Sequence, residues 1–155
     1  MRDSKGDDFS TGKRTAQAIA SAEIKDLIKN RYGKEIPFFI MGDFNNDVTK
    51  AKEFSPLKEG FSDVFDMADD LIGAGDGFGR TTHTYHPRGG KTSRKQIDGI
   101  IVDRDSNVEV IEAGIYRYKD ESGKIKPVPD TYDDRKKNPS DHFPVWAILK
   151  FIDFI

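Results

Sequence analysis

The chain predicts a mixed α/β domain of the α+β kind, on three observations. A long stretch near the start carries apolar residues at helical spacing. A short unbroken apolar run follows it and ends abruptly in Gly, Asp and Asn. The second half then holds several segments with strand character.

Residues 1–10 read as a polar lead-in, and residues 11–155 as one domain. From Thr11 to Tyr32, Ala16, Ile19, Ala20, Ile24, Leu27 and Ile28 form an apolar stripe that predicts a core-facing helix. Ser10 or Thr11 is placed to cap its start, and Gly33 stands where a left-handed C-terminal residue is expected. Pro37 opens a strand over Phe38–Met41, whose continuous apolar run suits a strand covered on both faces. Residues 50–72 predict short helical pieces broken at Pro56 and Gly60, with Phe54, Leu57, Phe61, Val64, Phe65 and Met67 inward. Residues 73–80, GAGDGFGR, are a connection and not a P-loop, since no Gly-Lys-Ser/Thr follows. Strands are predicted over Thr81–His86, Gln96–Val102, Val108–Tyr118 and Phe143–Phe151. The polar stretch from Lys119 to Ser140, with three prolines, is a loop long enough to suggest a functional one.

The totals narrow the function classes. A chain of 155 residues suffices for one core. Net charge of −2 argues against a surface that grips polyanions everywhere, although a local basic patch is compatible with it. Without cysteine there is no disulfide framework and no thiolate chemistry. No segment approaches the roughly 18 apolar residues of a membrane span, and the polar start lacks a signal-peptide core. The expectation is a cytoplasmic protein by default, or a secreted one if an upstream signal segment has been lost.

Three motifs carry chemistry. In GDFN, Asp43 and Asn45 stand at a strand tip, where α/β sheets collect ligands; the plain alternative is a turn. In IDGIIV, Asp98 interrupts an apolar strand, and a carboxylate there needs a partner or an exposed face. In SDHFPV, Asp141 and His142 precede the last strand. His142 can take a proton or neutralise a phosphate oxygen if a buried Asp such as Asp98 holds its other ring nitrogen. Arg88, Lys91, Arg94 and Lys95 precede Asp98, and with Arg135, Lys136 and Lys137 they form either a phosphate grip or a solvated charged loop. His83 and His86, three apart on a strand, face opposite sides and read as surface or substrate contacts rather than metal ligands. Tyr116, Tyr118 and Tyr132 are packing residues or base-stacking ones.

Taken together, GDFN, IDGI and SDHFPV resemble, in that order, the C-terminal half of the endonuclease/exonuclease/phosphatase superfamily. RTAQAIASAEI, residues 14–24, is similar to that family's Arg-x-x-Gln-Ala helix, and TTHTYHPRGG to its Thr-x-Tyr/Trp segment. The resemblance implies a DNase I-like four-layer α/β sandwich, with two face-to-face sheets and helices outside. It implies cleavage of phosphoesters with a divalent metal, Mg²⁺ in the first place, or Mn²⁺ or Ca²⁺. Asp43 would activate the attacking water and contact the metal, and Asn45 would bond a phosphate oxygen. Asp98 would orient His142, which would stabilise the charged phosphate, and Asp141 would sit beside the metal. Arg88, Arg94 and Lys95 would contact substrate.

The same resemblance implies that the family's N-terminal half is missing here, and with it an Asn and the Glu that is the main metal ligand. Glu23, Glu35, Glu53 and Glu59 read as solvated residues on helices or turns. The chain is therefore expected to be a fragment or truncated product, weak or inactive alone. Uncovered apolar surface would drive self-association or pairing with the missing half. A DNA or RNA phosphodiester is the expected substrate, without membrane insertion. The alternatives are a small-molecule or lipid-headgroup phosphate ester and a non-catalytic binding fragment.

Overall fold

The computed structural model describes residues 10–68, 71–74, 79–87 and 91–152. Helix α1 (Thr11–Tyr32) leads into strand β1 (Phe39–Asp43). A 3-10 turn (Lys52–Phe54) and the short helix α2 (Ser55–Lys58) precede β2 (Phe61–Asp63), α3 (Val64–Met67) and β3 (Leu71–Ile72). Strands β4 (His83–Tyr85), β5 (Ser93–Lys95), β6 (Asp98–Asp103) and β7 (Val108–Ile115) follow, then α4 (Tyr132–Arg135) and β8 (Val145–Phe151).

Two three-stranded sheets form the body, in the orders β1-β6-β2 and β3-β7-β8. The first is antiparallel, with Met41 opposite Ile100 and Asp43 opposite Asp98. In the second, β7 pairs antiparallel with β8 across a register shift between Val110 and Glu112. The inner core lies between the sheets, where Ile100 and Val102 of β6 meet Val108, Val110, Ala113 and Ile115 of β7, with Val64, Phe65, Val128 and Phe143. A second apolar layer joins Ala18 of α1 to Phe54, Leu57, Phe61 and Ile101 on the other face of the first sheet. The hairpin β4-β5 stands apart, tied to the body by the His83–His142 bridge.

Of the four expected layers, one helix layer and two sheets are present among the described residues. Ile111 and Ile148 are half exposed on the outer side of the second sheet. On that sheet Gly114 is required by packing, since a Cβ there would meet the Trp146 ring at 2.6 Å.

Several expectations need correction. The apolar stripe of α1 does not face the core: Ile19 and Ile24 are exposed and Leu27 is 69% exposed. The helix instead seats Arg14, Ala18 and Lys29 inward. Two carboxylates on the sheet side explain this choice. Arg14 Nε donates to Glu53 Oε1 at 2.9 Å, while Lys29 and Lys25 pair with the fully buried Asp103. Burying those acids unpaired would cost more than leaving three aliphatic side chains wet. Ser10 precedes the helix without a side-chain cap bond, its hydroxyl accepting from Arg14 Nη1 instead. Gly33 has positive φ but an extended ψ of 148°, so it is not the expected left-handed residue.

Strand β1 is an edge strand that pairs only with β6, and it is packed on both faces as expected, Phe39 on the inner core and Phe38 and Ile40 on the helix-side layer, while Met41 is left 67% exposed. Residues 50–72 are not wholly helical, because β2 and β3 fall within them. Residues 93–95 pair with β4 as an unforeseen short strand. The 119–140 segment contains only the Lys119–Ile125 bridge and α4 among its regular structure. Arg88 and residues 75–78 of the glycine-rich connection lie outside the described residues. Among the described residues no helix is long and apolar enough to cross a membrane.

Candidate active site

Three strand ends converge at one end of the sandwich. Asp43 ends β1 and Asp98 begins β6, and the antiparallel register places them opposite each other. Gly42, with φ 143°, lies just before Asp43 in a conformation that a side chain would strain. Beyond it, the Asn45 N–H donates to Asp43 Oδ1 at 2.7 Å, closing a turn in which Asn45 itself has φ 57°. Asn is among the few residues that accept that conformation readily.

His142 arrives from the segment before β8. Its Nδ1 lies 3.0 Å from Asp98 Oδ2 and 3.1 Å from Oδ1. A carboxylate can only accept, so Nδ1 carries the proton and Nε2 is the acceptor nitrogen of the neutral ring. Ligand atoms of Asp43, Asp98 and His142 all lie within 4.8 Å of one another, a group able to hold a metal ion. They line a cleft of about 230 Å³ together with Gly42, Tyr118, Ser140, Phe143, Pro144 and Val145.

The backbone around this group is tightly fixed. Thr82, fully buried, accepts on Oγ1 from the N–H groups of both Ile97 and Asp98, at 2.9 and 3.0 Å. Phe143 N donates to Thr82 O at 2.7 Å, and the Tyr118 hydroxyl donates to His142 O at 2.8 Å. Buried Arg117 bonds the carbonyls of Gly73, Thr81 and Gly79, which fixes the approach to β4.

The other expected residues lie around this centre. Asp141 is engaged by Arg135 Nη2 at 3.0 Å, with His83 Nε2 at 3.9 Å, and is not in the Asp43–Asp98–His142 group. Burial acts to raise the Asp141 carboxyl. A backbone N–H, Arg135 and the charge of His142 outweigh it and hold the group below its ordinary value. Asn45 lines a neighbouring groove with Asp43, α1 and Phe44 rather than the triad cleft. Arg94 and Lys95 line a separate cavity of about 620 Å³ with Asn46, Lys50 and Arg80. Arg94 pairs with Asp130, which lies outside the lining of that cavity.

Two residues were read differently from sequence. His83 contacts His142, with ring centroids 4.6 Å apart and the planes tilted by 48°. Burial first, and the neighbouring His142 second, lower its pKa. Glu53, read as solvated, is 5% exposed and accepts from both Arg14 and Asn46 Nδ2. It braces the loop that follows Asp43. A pairing clue was present, since an Arg inside the helix needs a buried acid whenever that face turns inward.

No family model matches the sequence, and no curated protein matches it. Solved structures do match. An endonuclease/exonuclease/phosphatase from Bacteroides vulgatus superposes with a TM-score of 0.55 at 21% identity, over 90% of this chain and 44% of that one. A family protein from Leptotrichia buccalis gives 0.50 at 20% identity, over 84% and 42%. Humanized D. rerio TDP2 gives 0.53 at 14% identity, over 91% and 50%. The chain thus has the mixed α/β, DNase I-like fold of the endonuclease/exonuclease/phosphatase proteins. It spans about half the length of the structures it matches.

Proposed function

We propose that this chain belongs to a metal-dependent phosphoesterase that hydrolyses phosphodiesters by attack of an activated water, with DNA or RNA as the substrate class. The observation that carries this reading is the approach of Asp43, Asp98 and His142 at converging strand ends. Asp43 is exposed, and its described bond is to a backbone N–H, so it retains lone pairs for a water or a cation. Asp98 fixes the His142 tautomer and directs Nε2 toward the incoming phosphate, where a protonated imidazole offsets the charge that builds in the transition state. Asn45 stands beside Asp43 to bond a phosphate oxygen.

Mg²⁺ needs only one or two carboxylates, with waters and phosphate oxygens completing its shell. Asp43 with Asp98 beside it fits that requirement. Asp141 is occupied by Arg135, and we assign it a supporting role next to His142. Bound there, the cation would neutralise phosphate charge. Arg94 and Lys95, in the separate cavity, would contact flanking phosphates of a polymeric substrate.

The test is hydrolysis of plasmid DNA and of bis-p-nitrophenyl phosphate with and without Mg²⁺. Wild type is compared with Asp43→Ala and His142→Ala. Cation-dependent turnover that both substitutions lower by about 100-fold or more is expected. Equal rates for all three proteins would overturn the reading.

A further inference from the structure

The cleft that holds Asp43, Asp98 and His142 has an aromatic wall. Tyr118 lines it, and a row of rings runs through that residue. Phe143, 2% exposed, lies beside Tyr118 with centroids 5.5 Å apart, and Tyr116 contacts Tyr118 edge-to-face at 6.0 Å. The row is graded, from a core ring through a partly buried one to Tyr116, which is 46% exposed. It is also tied to the segment that carries His142. The Tyr118 hydroxyl donates to His142 O, and Tyr116 N donates to Pro144 O, each at 2.8 Å. A flat ligand on Tyr116 would therefore stand in a set position relative to the His142 imidazole.

Tyr118 is the anchor of the row, and Tyr116 is its open end. Tyr32 and Tyr132, also exposed, each have a cation over the ring, Arg31 at 5.2 Å and Lys136 at 4.4 Å. The ring partner of Tyr116 among the described residues is Tyr118. Size gives a second argument. The cleft, at about 230 Å³, falls short of the roughly 300 Å³ at which pockets begin to enclose a whole organic ligand. It has room for a phosphate and the atoms bonded to it, and the remainder of a nucleotide lies on the rim.

We propose that Tyr116 is a stacking subsite for an unpaired nucleobase beside the scissile phosphate, which makes the substrate single-stranded nucleic acid rather than duplex. The proposal rests on the phosphodiester reading of the cleft. A base within a duplex has its faces covered by its neighbours, whereas an unpaired base can stack on an aromatic side chain whatever the sequence. Stacking also suits a chain with a net charge of −2, which gains little from general attraction to phosphates.

Fluorescence anisotropy of a short labelled oligothymidylate, titrated with the full chain in EDTA to prevent cleavage, tests it. An abasic strand of the same length and a fully paired hairpin are the comparisons. The oligothymidylate is expected to bind about 10-fold more tightly than either. Tyr116→Ala and Tyr116→Leu are expected to erase that preference with unchanged far-ultraviolet circular dichroism, while Tyr116→Trp and Tyr32→Ala keep it. Should the Ala and Leu variants fail to fold, Tyr116→Trp decides, its added indole fluorescence being quenched by the oligothymidylate and not by the abasic strand. Equal binding of all three strands by the wild type, binding of none, a preference that survives in Tyr116→Ala and Tyr116→Leu, or an unquenched indole would each overturn the proposal. Mg²⁺-dependent hydrolysis of bis-p-nitrophenyl phosphate by a chain without this preference would sink the stacking subsite alone, and absence of both would sink the phosphodiester reading with it.

Discussion

Two charge clusters on either side of the turn after β1 make a useful contrast. Behind the GDFN turn, Glu53 is buried and accepts from Arg14 and Asn46, so its bonding capacity is directed into the protein. In front of that turn, Asp98 and His142 are also paired, but they share an open cleft with the exposed Asp43. Both clusters use a carboxylate and a cation-forming partner. One is saturated and holds the loop, whereas the other keeps lone pairs and a ring nitrogen for a ligand.

Substitutions can sharpen or break that division. The largest expected effect is on the saturated cluster. Glu53→Ala removes the carboxylate that neutralises buried Arg14 and should cost about 3–5 kcal/mol of unfolding free energy, measured by urea titration. His142→Ala should cost roughly 10²–10³ in turnover, as loss of one transition-state hydrogen-bond donor does, while leaving the urea midpoint within error. If His142→Ala unfolds the chain instead, the front cluster is architectural and the contrast fails. Asp98→Asn should cost about 10–100-fold, the usual effect of removing the group that orients a functional histidine, and should shift the pH profile of turnover.

Acid should separate the clusters more gently. Burial first lowers the His83 pKa from 6.5, as it does that of His86. A lowered folded value means stability that is complete above pH 6.5 and is lost as pH falls through the folded values. Glu53 and Asp103 are also lowered, because their hydrogen bonds and cations outweigh burial. Their contribution is complete above about pH 4.5 and falls below it. Thermal midpoints recorded from neutral pH downward should therefore drop in two stages. His83→Gln should flatten the first and Glu53→Gln the second.

The sequence was most readable where a pattern had a local cause. The limits of α1 follow from unbroken helical spacing and the Gly-Pro region beyond it, and they agree with the structure to the residue. The strand positions of β1, β4, β6, β7 and β8 followed from apolar alternation and runs. Which face of α1 turns inward was not readable, because it depends on Glu53 and Asp103, 39 and 74 positions away from Arg14 and Lys29. The three-residue strands β2 and β5 were also lost, since pairing with β6 and β4 makes them, not their own composition. The approach of Asp98 to His142 spans 44 residues, and it could be suggested only by asking what a carboxylate in an apolar strand would bond.

The close seat of Trp146 against Gly114 has a practical consequence. The sequence holds a single tryptophan, and it lies on β8 opposite Gly114 of β7. Its fluorescence therefore reports on one strand without labelling. A wavelength shift during urea titration would time the parting of β8 from β7.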